Sequence, residues 1–252
     1  MTIAGNQSYF FPYIGYFQLI NSVDKFTIYD NFNFISKGWV NRNNILLNNG
    51  SVFMITLPLV NRSSFTKINE LEIDDRNNSL KWRRKICKTI YDNYLKAPMF
   101  SEMYGFIESL IFHPTRYLSE LNANLIVSIC NYLNIRTTIA YNPSAYNRIE
   151  SLLIDERYMK ENYPDLQPKE ARIVEICRAE GAGTIHNSIG GAAIYSKEIF
   201  ARYNIRLNFL KTGDIKYRQF NPGFVPNLSI IDVLMFNSRE TVQEMLTNYD
   251  LI

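Results

Sequence analysis

Apolar positions recur with two different periods along the chain, and the change of period divides it. Thr2 to Asn6 is a short apolar run, Gly15 to Val23 places Phe17, Ile20 and Val23 at helical spacing, and Lys25-Phe26-Thr27-Ile28-Tyr29 is again β-rich before Asp30-Asn31 closes it. Strand, loop, helix and strand in such quick succession predict a βαβ unit with a parallel pair. Ligands of such units gather beyond the carboxyl ends of the strands, so the Gln7 to Tyr13 loop and the Asp30 to Asn43 segment are expected on one edge. Ser51 to Val60 is β-like and follows Asn48-Asn49-Gly50, whose Asn-Gly supplies the positive-φ residues of a tight turn, predicting a hairpin. Glu70-Leu71-Glu72-Ile73 alternates as a half-exposed strand does.

From Leu80 the period lengthens. Trp82, Ile86, Ile90 and Tyr94 recur every four residues until Ala97, and Pro98 stops the helix. Met99 to Phe112 and Tyr117 to Leu133 repeat the pattern on either side of His113-Pro114, so residues 80–134 are expected to form a helical segment packed on the α/β layer. Thr137 to Tyr141 is β-like, whereas Asn142 to Pro168, with Pro143, Pro164 and many charges, shows no period and is expected to be irregular. Pro168 opens a helix that runs to Glu180 with Ile173, Ile176 and Cys177 on one face and Gly181 at its end. Short strands at Thr184-Ile185-His186 and Arg206 to Leu210 flank Gly190-Gly191 and a small helix. Ser229 starts a further helix, with Asp232 three residues on as in a capping box. Neither a repeat nor a low-complexity linker interrupts the pattern. The expectation is one continuous α/β unit over residues 1–252, Rossmann-like, with a parallel or mixed sheet.

Composition narrows the function classes. With 252 residues, 46% hydrophobic and 20% charged, the chain is of the globular kind and not a disordered or collagen-like one. Its 27 Lys plus Arg against 24 Asp plus Glu leave a formal charge of +3, too balanced for a nucleic-acid protein acting by its bulk field. The N-terminus has no basic segment before an apolar run, and no apolar stretch approaches about 18 residues, so a cytoplasmic protein without a membrane span is expected. Cys87, Cys130 and Cys177 are odd in number and each lies in an apolar stretch, which points to buried thiols in a reducing compartment. Ile and Asn are the commonest residues, beside 17 Tyr and 16 Phe. Rings among amides suit a polar, uncharged ligand such as a sugar, and an AT-rich genome produces the same bias.

The common catalytic motifs, among them the Walker loop, GxGxxG, HExxH, CxxC and GxSxG, are absent, and two histidines are too few for a multi-histidine metal site, so no metal is expected. His113 precedes a proline at a helix end, as an exposed cap does. His186 ends a predicted strand ahead of Asn187-Ser188 and Gly190-Gly191, where backbone N–H groups can meet an anion or where glycines merely give the loop its freedom. The densest polar and aromatic constellation runs from Asp30 to Asn43 and holds Trp39, Asn41, Arg42 and Asn43. Such a ring beside amides and a cation can hold a sugar or a nucleotide, and the same amides can also stitch a loop to itself. Lys81-Trp82-Arg83-Arg84-Lys85 with Lys88 puts a basic face on a helix that turns Trp82 inward, either plainly solvated or available to phosphate.

Several of these segments, in order from end to end, resemble the WbqC-like family found in bacterial surface-polysaccharide gene clusters. Gln7-Ser8-Tyr9-Phe10-Phe11-Pro12-Tyr13-Ile14-Gly15-Tyr16-Phe17 is similar to the family's opening Q-P-x-Y/F-F-P-x-x-G-Y-F. Trp39-x-Asn41-Arg42-Asn43, Ala97-Pro98-x-Phe100, Ile176-Cys177-x-Ala179-x-Gly181-Ala182 and Phe224-Val225-Pro226-Asn227-Leu228-Ser229-Ile230-x-Asp232 continue the likeness. Ser8 departs from the usual proline, and His186-Asn187-Ser188-Ile189-Gly190 stands where a Ser-Gly-Pro-like turn is usual. The resemblance implies glycyl or aminoacyl transfer to a nucleotide-linked amino sugar in O-antigen assembly, with an activated acyl donor, an acyl carrier or aminoacyl-tRNA. A non-catalytic sugar-nucleotide module or scaffold in the same pathway is the alternative. Amide formation needs a base and oxyanion donors. Asp30 or His186 is the expected base, and Gln7, Tyr9, Trp39, Asn41, Arg42, Asn43, Asn187 and Asn227 are the expected substrate-binding residues around one cleft. The opening loop also has a faint likeness to the F-x-P-x-H-x-G-H pattern of nucleotidylyltransferases without its histidines, which supports the Rossmann-like fold.

Overall fold

The computed structural model describes residues 1–75, 80–142, 146–221 and 223–252. Strand β1 (Thr2–Asn6) leads through a loop into helix α1 (Ile14–Asn21), which returns the chain to β2 (Lys25–Ile28), parallel to β1 with Ile3 opposite Lys25. The hairpin of β3 (Arg42–Leu46) and β4 (Val52–Thr56) follows, turning at Gly50, whose φ of 83° is the left-handed conformation that the Asn-Gly pair predicts. Helices α2 (Lys81–Tyr94), α3 (Phe100–Ile111) and α4 (Leu118–Tyr132) make up the helical middle. Strand β5 (Thr138–Tyr141) then joins β2 in parallel.

Three helices, α5 (Asn147–Ile154), α6 (Glu156–Asn162) and α7 (Pro168–Glu180), carry the chain back to β6 (Thr184–Ser188), which pairs with the other side of β1. The chain closes with α8 (Lys197–Ala201), β7 (Arg206–Thr212), α9 (Ile230–Phe236), α10 (Arg239–Met245) and β8 (Tyr249–Leu251). The six-stranded sheet has the order β5-β2-β1-β6-β7-β8, and β8 alone is antiparallel to its neighbour. Counted along this sheet the order is 3-2-1-4-5-6, the Rossmann arrangement, and its direction of travel reverses between β1 and β6.

Helices cover both faces of the sheet, which is why the parallel strands read as apolar runs rather than clean alternations. Ile3 of β1 and Ile185 of β6 enter a core with Ala171, Val174 and Cys177 of α7. One residue further along β1, Ala4 faces the opposite core, which Phe17 and Ile20 of α1 share with Ile90, Leu125 and Ile129 of the helical middle and Ile45 of the hairpin. All three cysteines are buried and unpaired.

Four expectations are corrected. The stretch from Asn142 to Pro168 is not irregular: it holds α5, which buries only Ile149 and Leu153, and α6, which buries none and starts where Asp155 accepts from the N–H groups of Arg157 and Tyr158. Two buried positions are too few for a period to show; Pro143 lies outside the described residues. Glu70 to Ile73 is no strand but a 3-10 turn over Ile68–Glu70 followed by single bridges from Ile73 to Leu59 and from Glu72 to Tyr117. The basic face of α2 loses Arg83 to the interior, where its guanidinium donates to the carbonyls of Ile111 and His113 and to Asp75, 2.8 Å away. Asp232 does not complete a capping box, because Ser229 N–H goes to Asn44 O and the carboxylate accepts instead from the hydroxyls of Tyr94 and Tyr217 and from Gln219 Nε2, at 2.7, 2.6 and 2.8 Å.

Candidate functional site

A cavity of about 800 Å³ opens at the carboxyl ends of β1 and β6, where the strand order reverses. The two strands end alike. Asn6 Oδ1 accepts the N–H of Gln7 at 2.9 Å, and Asn187 Oδ1 accepts the N–H of Ser188 at 2.8 Å. Each side-chain oxygen is thereby committed to the turn, and each NH2 group is left without a protein acceptor among the described residues. Two amide donors therefore flank the switch point. Close approach on this face requires glycine at position 5, where a Cβ would stand 2.5 Å from the Tyr29 ring and 3.0 Å from Thr27 O.

The walls are mostly rings and aliphatic chains, with one paired cation. Tyr29 packs 5.3 Å from Phe32 and 5.8 Å from Tyr146, measured between ring centres. Burial pushes the Tyr29 phenol up to about 12, so it stays protonated and can donate. Arg172 of α7 lies 5.4 Å from the Phe32 ring and is held on Glu150 by two hydrogen bonds of 2.5 and 2.7 Å. That bond raises its affinity for the proton further.

A second, smaller cavity of about 320 Å³ lies between Tyr9, Pro12, Tyr13, Trp39, Asn43 and Asn227. Thus the structure divides the expected single cleft. Gln7, His186 and Asn187 line the switch-point cavity, while Tyr9, Trp39, Asn43 and Asn227 line the smaller one. Asn41, Arg42 and Asp30 line neither. Asn41 Nδ2 donates to Leu57 O at 2.8 Å, and Arg42 Nε donates to Gly38 O at 2.8 Å. Asn43 Nδ2 is likewise committed, to Phe11 O at 2.6 Å. These amides stitch the hairpin to the opening loop and to the segment after β4.

Of the two residues expected to act as base, Asp30 lines neither cavity and His186 is tied by its ring to α1. Asp30 is wholly enclosed, its carboxylate accepting from Ser8 N–H at 2.8 Å and from Ser8 Oγ at 2.7 Å. Burial raises its pKa to about 6 against the lowering effect of those two bonds. His186 belongs to the cavity wall, but the period of two along β6 turns its ring to the α1 face, opposite Ile185 and Asn187. There its Nδ1 is 3.0 Å from Ser22 Oγ, and burial lowers its pKa.

Asn6, Tyr29, Tyr146 and Arg172 join the switch-point cavity without having been singled out in the sequence. Asn6 was legible in principle, as the polar residue that ends the first strand. Arg172 was not, because only the path of α7 back across the sheet brings it to Phe32 and Glu150.

The fold and cavity define an α/β protein with an open cavity at a Rossmann switch point. The chain belongs to the WbqC-like protein family, whose model matches residues 7–244. It is similar to the uncharacterized protein Rv1507c of Mycobacterium tuberculosis (strain ATCC 25618 / H37Rv), 29% identical over 238 residues that cover 93% of each chain. No solved structure matches it. Among the described residues no helix is long and apolar enough to cross a membrane.

Proposed function

We propose that the protein binds a nucleotide-linked amino sugar in the switch-point cavity and acylates its amine with a glycyl or aminoacyl group delivered already activated, in the assembly of O-antigen or another surface glycan. The observation that carries the reading is the cavity at the reversal between β1 and β6, with the free NH2 groups of Asn6 and Asn187 at its mouth. Aromatic walls suit a base or a sugar ring, and paired amide donors suit hydroxyls, phosphate oxygens or the oxyanion that develops as an amide forms. The chemical step and the surface-glycan setting follow from what the family resemblance implies.

The enclosure of Asp30 and the turn of the His186 ring towards α1 favour a second reading, a non-catalytic sugar-nucleotide module. Mass spectrometry separates the two. A UDP- or dTDP-linked amino sugar incubated with the protein and glycyl-tRNA, or with a glycyl-loaded acyl carrier, gains the mass of one glycyl group under the enzyme reading. Absence of any gain with either donor, while the sugar nucleotide still binds, leaves the module. If Asp30 serves as the base, Asp30→Asn removes the gain and keeps the binding.

A further inference from the structure

A hydrogen-bonded pair links a residue of the smaller cavity to one of the switch-point cavity. Gln7 lines the larger space and Tyr9 the smaller, and Gln7 Nε2 donates to the Tyr9 hydroxyl at 3.1 Å. The second boundary segment repeats the arrangement: Ile35 lines the larger space and Trp39 the smaller, either side of a turn in which Gly38 N–H donates to Ile35 O at 2.8 Å. Two short segments therefore each send one residue to each cavity, so the two cavities are neighbours that share a wall.

The chemistry of the smaller cavity differs from that of the larger one. Rings approach from three residues, Tyr9, Tyr13 and Trp39, and among the described residues no charged side chain lines it. The Trp39 indole is 45% exposed, a free face rather than a core ring. Asn227 lines the cavity, is exposed, has no hydrogen-bond partner among the described residues, and sits at φ 57°. The Tyr9 hydroxyl accepts from Gln7, which leaves its own hydrogen to donate. An anion finds no counter-charge here. A polyhydroxylated ring finds flat faces for its C–H surface, hydrogen-bonding groups at two edges, and aromatic faces that also favour a protonated amine. At about 320 Å³ the space lies at the small end of ligand sites, fit for one ring and not for a nucleotide.

We propose that the cavity between Trp39, Tyr9, Tyr13 and Asn227 is a glycosyl subsite that holds the sugar ring of a nucleotide sugar whose nucleotide occupies the switch-point cavity, the ligand crossing over the Gln7–Tyr9 pair. This rests on the proposed binding of a nucleotide sugar at the switch point.

Calorimetric titration of the full chain tests it with UDP against UDP-glucosamine and dTDP against dTDP-glucosamine, in the wild type, Trp39→Ala and Asn227→Gly. Glycine keeps the positive φ at position 227 and removes only the amide. The sugar nucleotide is expected to bind about tenfold more tightly than its diphosphate, and each variant is expected to lose most of that gain with the diphosphate affinity unchanged. A gain that survives in both variants, or diphosphate and sugar nucleotide binding alike in the wild type, overturns the subsite and leaves the switch-point reading standing. Binding of none of the four ligands overturns both.

Discussion

Gln7 and Tyr9 are joined by a hydrogen bond of 3.1 Å and face different cavities. The residue between them is the reason. Ser8 is fixed from below by Asp30, which accepts both its N–H and its hydroxyl, and Asn122 Nδ2 adds a contact to Ser8 Oγ at 3.3 Å. With its centre pinned in the core, the loop after β1 sends the preceding side chain to the switch point and the following one towards Trp39. A proline at position 8, usual in the opening motif that this chain resembles, would supply neither hydrogen to Asp30. The carboxylate and Ser8 belong together.

Removing the Tyr9 hydroxyl deletes the link and the donor at the ridge but keeps the ring. Tyr9→Phe is therefore expected to leave UDP affinity within about twofold and to weaken UDP-glucosamine binding by about fivefold, the worth of one hydrogen bond. Calorimetry of the two ligands checks it; equal weakening of both would place the hydroxyl in the nucleotide site.

Asp30 makes stability depend on pH in a sense opposite to that of a salt-bridged carboxylate. Its folded-state pKa of about 6 lies above the ordinary value of 3.8, so between these values the folded chain holds a proton that the unfolded chain has lost. This group's penalty is fully present above pH 6 and disappears as the pH falls towards 4, a change of about 3 kcal/mol. Relative to Asp30→Asn, the wild type is expected to gain stability over that window, read from urea midpoints at each pH. The comparison cancels the contribution of His186, whose buried imidazole resists protonation and acts in the other direction. A flat difference between the two proteins would show that Asp30 titrates normally.

Asp232 ties α9 to the irregular segment after β7 through Tyr217 and Gln219, and Gln219 in turn accepts Val225 N–H at 2.8 Å. Asp232→Ala leaves the hydroxyls of Tyr94 and Tyr217 without their acceptor and the Gln219 amide with Val225 O alone. A loss of about 3–5 kcal/mol is expected by urea denaturation, with faster hydrogen exchange at Val225. A loss below about 1 kcal/mol would mean that water replaces the carboxylate.

Arg83→Met keeps the apolar stem and removes the guanidinium, stranding the Ile111 carbonyl and leaving the Asp75 carboxylate only the Trp82 indole N–H, 2.6 Å away. The expected loss is about 2–4 kcal/mol in the urea midpoint, whereas Lys88→Met, which breaks an exposed pair with Asp92 on the same helix, should change stability by less than about 0.5 kcal/mol. Similar effects from the two variants would contradict the burial of Arg83.

Local pattern was enough for most elements. Pro168 and Gly181 bracket α7, with Gly181 at φ 64°; Asn49-Gly50 turns the hairpin; Trp82, Ile86, Ile90 and Tyr94 all lie inward on α2. In each case the deciding interactions lie within a few residues, or the apolar period is long enough to report a buried face. The short α5 and α6 fall below that length.

Polar side chains followed another rule. Nothing near Asn41, Asn43, Arg83 or Asp232 in the chain names Leu57, Phe11, Ile111 or Tyr94 as its partner. A cluster of amides and a cation reads identically whether it awaits a ligand or fastens one segment to another. By itself the sequence determined the βαβ opening, the helical middle, the family and the end of the sheet at which the loops after β1 and β2 leave, because hydrophobic burial and turn geometry are local and periodic. Only the tertiary structure decided that the expected cleft is two cavities and that Asp30 is buried on Ser8. A buried hydrogen-bonding group takes whatever partner the packed chain brings within about 3 Å, and that partner is chosen by the fold as a whole.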